Sequence, residues 1–179
     1  MSQEQITMLS RENQTLITID EIKHYLRIES DNNDDDEMLV SIIEAAVQAA
    51  EKYLGFYLNL CEVEQLQQDF YGGIVELKYR PVVELKQVFT WQDNVRKLLD
   101  KGLYYFDLRL ARVELRTPLI GGNIGIVYKA GYDNHGLIDA PIKLGILNHI
   151  ASLYDDRHLA TLPRASIVLY APYRRMRLT

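Results

Sequence analysis

The side chains best suited to metal binding or nucleophilic chemistry in this chain are four histidines, His24, His135, His149 and His158, and one cysteine, Cys61. Their spacing supports neither activity. No two histidines stand in H-x-x-x-H or H-E-x-x-H spacing, and a lone thiol leaves a tetrahedral zinc site short of donors. His149 falls beside the apolar stripe of its helix and reads as a semi-buried histidine rather than a ligand. Asp155 and Asp156 lie close to His158, which opens a hydrolase reading through Asp155 and His158. No G-x-S-x-G or comparable nucleophile motif accompanies them, and a helix end running into a polar loop explains them better. The acidic run 29–37 invites comparison with a calcium loop. Counted from Asp31, however, the sixth residue is Asp36 where glycine is required, and the twelfth is Ile42 where glutamate is required. Gly121-Gly122-Asn123-Ile124-Gly125 lacks the Lys-Ser/Thr of a phosphate loop and precedes a strand, so it reads as a hairpin turn. No catalytic, cofactor-binding or metal-binding residue is therefore expected.

What remains is chemistry of association. Residues 29–37 carry six acids and no base, whereas residues 164–179 carry Arg164, Arg174, Arg175 and Arg177 and no acid. The end of the chain, YAPYRRMRLT, combines Tyr, Arg and Pro, and Tyr and Arg are enriched at interface hot spots. A frayed basic terminus explains that composition equally well. Twelve tyrosines against four phenylalanines suit half-buried surfaces. The net charge of −5 argues against a general nucleic-acid coat. With 47% hydrophobic and 25% charged residues, the 179-residue chain suits one domain, or one domain with an appendage. One cysteine cannot form an internal disulfide, which favours a reducing compartment. Met1 is followed by polar SQEQ without a signal-peptide pattern, and no stretch approaches 18 apolar residues, so no membrane span is expected.

The elements that must carry these residues follow from capping and periodicity. Residues 1–16 are polar and unpatterned and read as a flexible arm. Thr18 and Glu21 form a capping box, with Ile17 placed to staple onto Ile22, and a helix over 19–27 follows. Asp34 and Glu37 repeat the capping-box spacing ahead of a longer helix over 36–54. Leu39, Ile42, Ile43, Ala46, Val47, Ala50, Tyr53 and Leu54 recur along it at helical spacing, and Gly55 stands at its C′ position. Ala45, Ala46, Ala49 and Ala50 would admit another helix closely. From 60 to 132 the period shifts to two, with turn chemistry at Gly72-Gly73, Asp93-Asn94, Lys101-Gly102, Thr117-Pro118 and Gly121-Gly122, which predicts short antiparallel strands. A helix over 140–157 presents Ile142, Ile146, Ile150 and Leu153 on one stripe. After a loop at 158–165, SIVLY forms a helical turn or two, and Pro172 stops it. The expected fold is α+β: a helical bundle with an antiparallel β insertion and an extended C-terminal tail. One domain over 17–157 is expected to carry the core, with 158–179 as loop and interaction tail.

The order of segments resembles the head–tail connector (adaptor, or head-completion) proteins of tailed double-stranded DNA bacteriophages. LITIDEIKHYLRIE is similar to that family's opening helix, and the acidic run with DEMLVSIIEAAVQAAEKYLG to its next element. YRPVVELKQV is similar to its strand around an R-P-(P/V)-V turn. IGIVYKAGYD is similar to its strand ending in A-G-Y, APIKLGILNHIASLYDDR to its last long helix, and LYAPYRRMR to its end. The resemblance spans roughly residues 16–178. It implies a virion protein, phage or prophage encoded, that assembles in the host cytoplasm as a ring of about a dozen copies below the portal. Such a ring extends the DNA channel, through which double-stranded DNA passes without specific binding, and docks tail-side completion proteins. The implied portal contacts are Tyr170, Pro172, Tyr173, Arg174, Arg175 and Arg177. Asp34, Asp35 and Asp36 are the proposed subunit contacts, opposite in charge to the basic tail. No cofactor and no membrane partner are expected. The alternatives are another tail-completion or assembly factor, and the hydrolase named above.

Overall fold

A computed structural model describes residues 3–12, 16–92, 95–156 and 161–174. The chain forms two compact units, a β unit of Met1–Asn13 with Asn59–Asp133 and a helical unit of Gln14–Leu58 with Asn134–Thr179. Sequence reading drew one domain over 17–157.

The β unit is a six-stranded antiparallel sheet of β1 (Glu4–Arg11), β2 (Cys61–Glu76), β3 (Val82–Gln92), β4 (Val95–Leu98), β5 (Tyr104–Asp107) and β6 (Arg112–Ala130). The order is β1-β2-β6-β3-β4, and β5 pairs with the start of β6. Alternation sets the faces: Val63, Gln65, Ile124, Ile126 and Tyr128 are buried, while Val75, Leu77 and Val113 fill the far end. The strands hold more residues than the helices, and the first strand precedes the first helix. The expectation of a helical bundle with a β insertion is therefore overturned, although the α+β class fits. Residues 4–11, read as part of a flexible arm, form β1 and pair with β2 from Glu4↔Gln67 to Arg11↔Cys61. Their polar, weakly alternating sequence suits an edge strand exposed on one side, and it lacks the periodicity that marks a buried one.

The turn chemistry also needs correction. Gly72-Gly73 lies inside β2, and Thr117-Pro118 and Gly121-Gly122 lie inside β6. They mark irregularities where the register shifts, between Gln67 and Phe70 and again between Gly72 and Ile74. Glycine pairs and proline bend a paired strand as readily as they end one. Gly72 adopts φ 149°, a conformation that side chains rarely tolerate. Asp93-Asn94 lies outside the described residues.

After this bend the far end of β2 folds back onto its own middle. Gln65, 1% exposed, donates from Nε2 to the Glu76 carbonyl at 2.8 Å. Its Oε1 accepts from the Lys78 N–H at 3.1 Å and from the Tyr128 hydroxyl at 3.2 Å. Tyr128 Oη in turn accepts from the Tyr79 N–H at 3.2 Å. Gln65 Nε2 also reaches Glu4 Oε1 at 2.9 Å, which ties in β1.

The helical unit contains α1 (Ile19–Leu26), α2 (Asp36–Leu54), α3 (Ala140–Asp155) and α4 (Arg164–Tyr170). Thr18 Oγ1 accepts from the Glu21 N–H at 3.1 Å, closing the first cap. The N-cap of α2 is Asp35 and makes no side-chain cap bond. Instead Asp36 pairs with Lys23 at 2.7 Å, a lysine only 2% exposed that also donates to Asn33 at 2.8 Å. Gly55 ends α2 at φ 80°, its N–H reaching the Glu51 carbonyl. Glu51 is buried and accepts the Leu58 N–H at 2.8 Å. Ile43, Ala46 and Ala50 of α2 and Ile142, Ile146 and Ile150 of α3 supply the core between packed helices.

Two outcomes test the β unit. Gln65→Leu keeps volume but strands the Lys78 N–H and the Glu76 carbonyl, and should cost about 3 kcal/mol in denaturant unfolding. Burial pushes Tyr128 up to about 12 from 10.0. The stability it contributes is full below pH 10 and is lost as pH rises from 10 towards 12, because the unfolded tyrosine ionises first. Tyr128→Phe should reduce that alkaline loss in a pH-dependent melt.

Candidate functional site

The C-terminal segment folds onto the helical unit. After α4 the chain takes one further 3-10 turn at Ala171–Tyr173 with Pro172 inside it. Proline suits the first positions of such a turn, so it does not eject the chain as expected. The extended tail is therefore corrected as far as Arg174. Tyr170 is fully buried. Its ring lies over Gly145 so closely that a Cβ there would collide with it, and it packs 5.9 Å from the Tyr53 ring. Ser166, equally buried, donates to the Gly145 carbonyl at 2.7 Å. Burial raises the Tyr170 hydroxyl well above the ordinary tyrosine range, and Oη has no hydrogen-bond partner among the described residues. Tyr170 is thus a core residue in this chain and presents no surface to a partner, which corrects its assignment as a portal contact.

The remaining tail residues are placed differently. Pro172 is exposed and Tyr173 half-buried. Arg174 is exposed, with its guanidinium 5.0 Å from the Tyr53 ring centroid. Arg175 and Arg177 lie outside the described residues, as does His158 of the hydrolase reading. Asp155 is exposed. Of the acidic trio, Asp34 is exposed. Asp35 accepts the Tyr154 hydroxyl at 2.8 Å, and Asp36 holds Lys23. Two of the three therefore have structural work within the helical unit.

Between α2 and α3 the structure opens a cleft of about 520 Å³, lined among others by Ala45, Ala49, Lys52, Tyr53, His149 and Arg174. Sequence reasoning noted that the alanines admit close approach. Ala46 and Ala50 meet the core, whereas Ala45 and Ala49 face this cleft. It missed Lys52, because a lysine in a last helical turn ordinarily serves the macrodipole. His149 is 5% exposed, its Nδ1 has no hydrogen-bond partner among the described residues, and burial lowers its pKa. Among the described residues no group of three or more His, Cys, Asp or Glu is placed to hold a metal. No described helix is long and apolar enough to cross a membrane. The β unit exposes Tyr71, Ile74, Tyr105, Leu108 and Ile120, the last at 87%, on the far part of β2 and β6 and around β5. Tyr71, Ile74, Tyr105 and Ile120 each stand beside another apolar residue, so the sequence did not separate the outward side chains from the inward ones.

Residues 16–80 match the model of the phage gp6-like head-tail connector protein family. The opening helix, the acidic run, the long helix and the start of YRPVVELKQV all fall within that match. The resemblance to head–tail connector proteins is therefore borne out. Among solved structures, a chain from the virion of a native gene transfer agent (GTA) particle is similar with a TM-score of 0.77 at 20% identity, covering 97% of each chain. A chain from the neck of an empty GTA particle computed with C6 symmetry gives 0.74 at 19% identity, covering 98% of this chain and 97% of that one. One from the neck of a native GTA particle computed with C12 symmetry gives 0.74 at 17% identity, with the same coverage. At these identities the likeness establishes a shared fold along nearly the whole chain. No curated protein sequence matches.

Because Ser166 and Tyr170 belong to the core, which sequence periodicity confined to 17–157, a chain ended after Arg164 should not fold normally. Tyr170→Ala alone should lose about 3 kcal/mol in unfolding experiments, and Gly145→Ala should also destabilise by displacing the Tyr170 ring.

Proposed function

We propose that this chain is a structural subunit of a head–tail connector in a tailed-phage or gene-transfer-agent particle. The observation that carries the reading is the fold shared over 97–98% of the chain with chains of GTA necks and virion, together with the connector-family match at residues 16–80. In this reading about a dozen copies close into a ring below the portal through a heterologous contact. The ring extends the DNA channel and docks tail-side completion proteins, assembling in the host cytoplasm and persisting in the virion. Neck structures computed with C6 and C12 symmetry support the cyclic arrangement. A net charge of −5 suits a channel wall that must let DNA slide.

Within this reading Tyr170 fixes the base of the tail, and Arg174 rests on Tyr53. The portal contact then falls to Pro172, Tyr173, Arg175 and Arg177. Arginine can pair with portal carboxylates bidentately. Asp34 remains available as a subunit contact, while Asp35 and Asp36 are engaged within the chain. The exposed apolar residues of β5 and the far part of β2 and β6 suit a tail-side partner.

The test is co-sedimentation of the purified chain with DNA-filled, tailless heads, followed by electron microscopy. Wild type should add a ring beneath the portal, and Arg175→Glu with Arg177→Glu should abolish binding while leaving the melting temperature unchanged. Replacement of both by Lys should only weaken it. Absence of any ring with wild type would overturn the proposal.

A further inference from the structure

Charge is left unneutralised at both ends of α2. At its start Glu29, Asp31 and Asp34 are exposed and form no ion pair among the described residues. At its finish the cleft is lined by two exposed cations, Lys52 and Arg174, which likewise form no ion pair among the described residues. His149 also lines the cleft; it is 5% exposed, and its buried Nδ1 lacks a partner among the described residues. Its walls at Ala45 and Ala49 carry only methyl groups, which leaves room for a segment of chain.

Macrodipole compensation accounts for part of this pattern, because acids favour helix starts and lysine favours helix ends. It does not account for Glu29 and Asp31, which precede the first turn, or for Arg174, which lies on another segment. We infer that the cleft between α2 and α3 receives the acidic segment Glu29–Asp34 of a second copy of this chain, head to tail. This inference rests on the connector reading and names the contact that closes its ring.

Geometry favours a second copy as the occupant. The acidic segment does not reach Lys52 of its own cleft, because α2 holds Asp36 and Lys52 roughly 24 Å apart along a rigid helix. The two patches differ, so each copy offers an acidic end to one neighbour and a basic cleft to the other. A contact of that kind does not stop at a two-fold pair; it propagates and closes as a ring. The acidic segment lies outside the helices, so its carboxylates can approach Lys52 and Arg174 without disturbing α2.

Charge exchange tests the contact. One variant carries Lys52→Glu and Arg174→Glu, and another carries Glu29→Lys, Asp31→Lys and Asp34→Lys. Both are checked for wild-type helicity and melting, then assayed for ring formation on portal-bearing heads. Each alone should assemble at least about tenfold more weakly than wild type, because like charges now meet. An equimolar mixture of the two should assemble again, since every acidic segment then faces a basic cleft or the reverse. So should the chain carrying all five changes. If wild type forms rings and the folded single-patch variants form them equally well, the contact lies elsewhere and the connector reading stands. If the variants fail but the mixture does not recover, charge pairing between these two patches is likewise overturned. If wild type forms no ring, the connector reading falls and takes this contact with it.

Discussion

The β unit depends on one buried side chain. Gln65 gives its amide to the Glu76 carbonyl and to Glu4, and its carbonyl oxygen receives the Lys78 N–H and the Tyr128 hydroxyl. These bonds join β1, both ends of β2 and β6 at one point shielded from water. In such a place a satisfied network is strong and a partly satisfied one is costly. An apolar residue at position 65 would leave backbone groups of the doubled-back strand unpaired. The bend at Gly72 and the irregular register beside it are tolerable because this clamp holds the far end in place.

The helical unit has a different keystone. Its apolar stripes bring α2 and α3 together, but the closing piece is α4, whose Tyr170 ring lies on Gly145 and beside Tyr53. Only a residue without a side chain permits that approach. Fixing Tyr170 also fixes where the tail begins, and it brings Arg174 over the Tyr53 ring. Lys23 does comparable work at the other end of α2, where a nearly buried ammonium holds Asp36 and Asn33 in position. Breaking that pair would leave a desolvated charge, so those residues serve the fold before they serve any partner.

The surfaces left over by these two cores are the ones suited to assembly: a cleft with two cations, an acidic loop and exposed apolar strands. The connector proposed above would need surfaces of this type, and charge complementarity gives such contacts specificity.

Much of the helical unit was legible in the sequence because capping and helical periodicity are local. Thr18 and Glu21, the stripe from Leu39 to Leu54, Gly55, and the stripe from Ile142 to Ile150 each carry their signal within a few turns. Residues 16–80 also carried a family pattern readable in order. The sheet was less legible. Whether Gly72-Gly73 or Gly121-Gly122 ends a strand or bends it depends on the partner strand many residues away. Edge strand β1 owes its order to β2 rather than to its own pattern. Burial of Tyr170, Glu51 and Lys23 was equally invisible, since a tyrosine, glutamate or lysine suits solvent as well as a core until its partner is known. The amino-acid order alone determined which segments are helical and where charge accumulates. Tertiary contact decided which of those residues face inward, because burial and hydrogen-bond pairing belong to neighbours far apart in the chain.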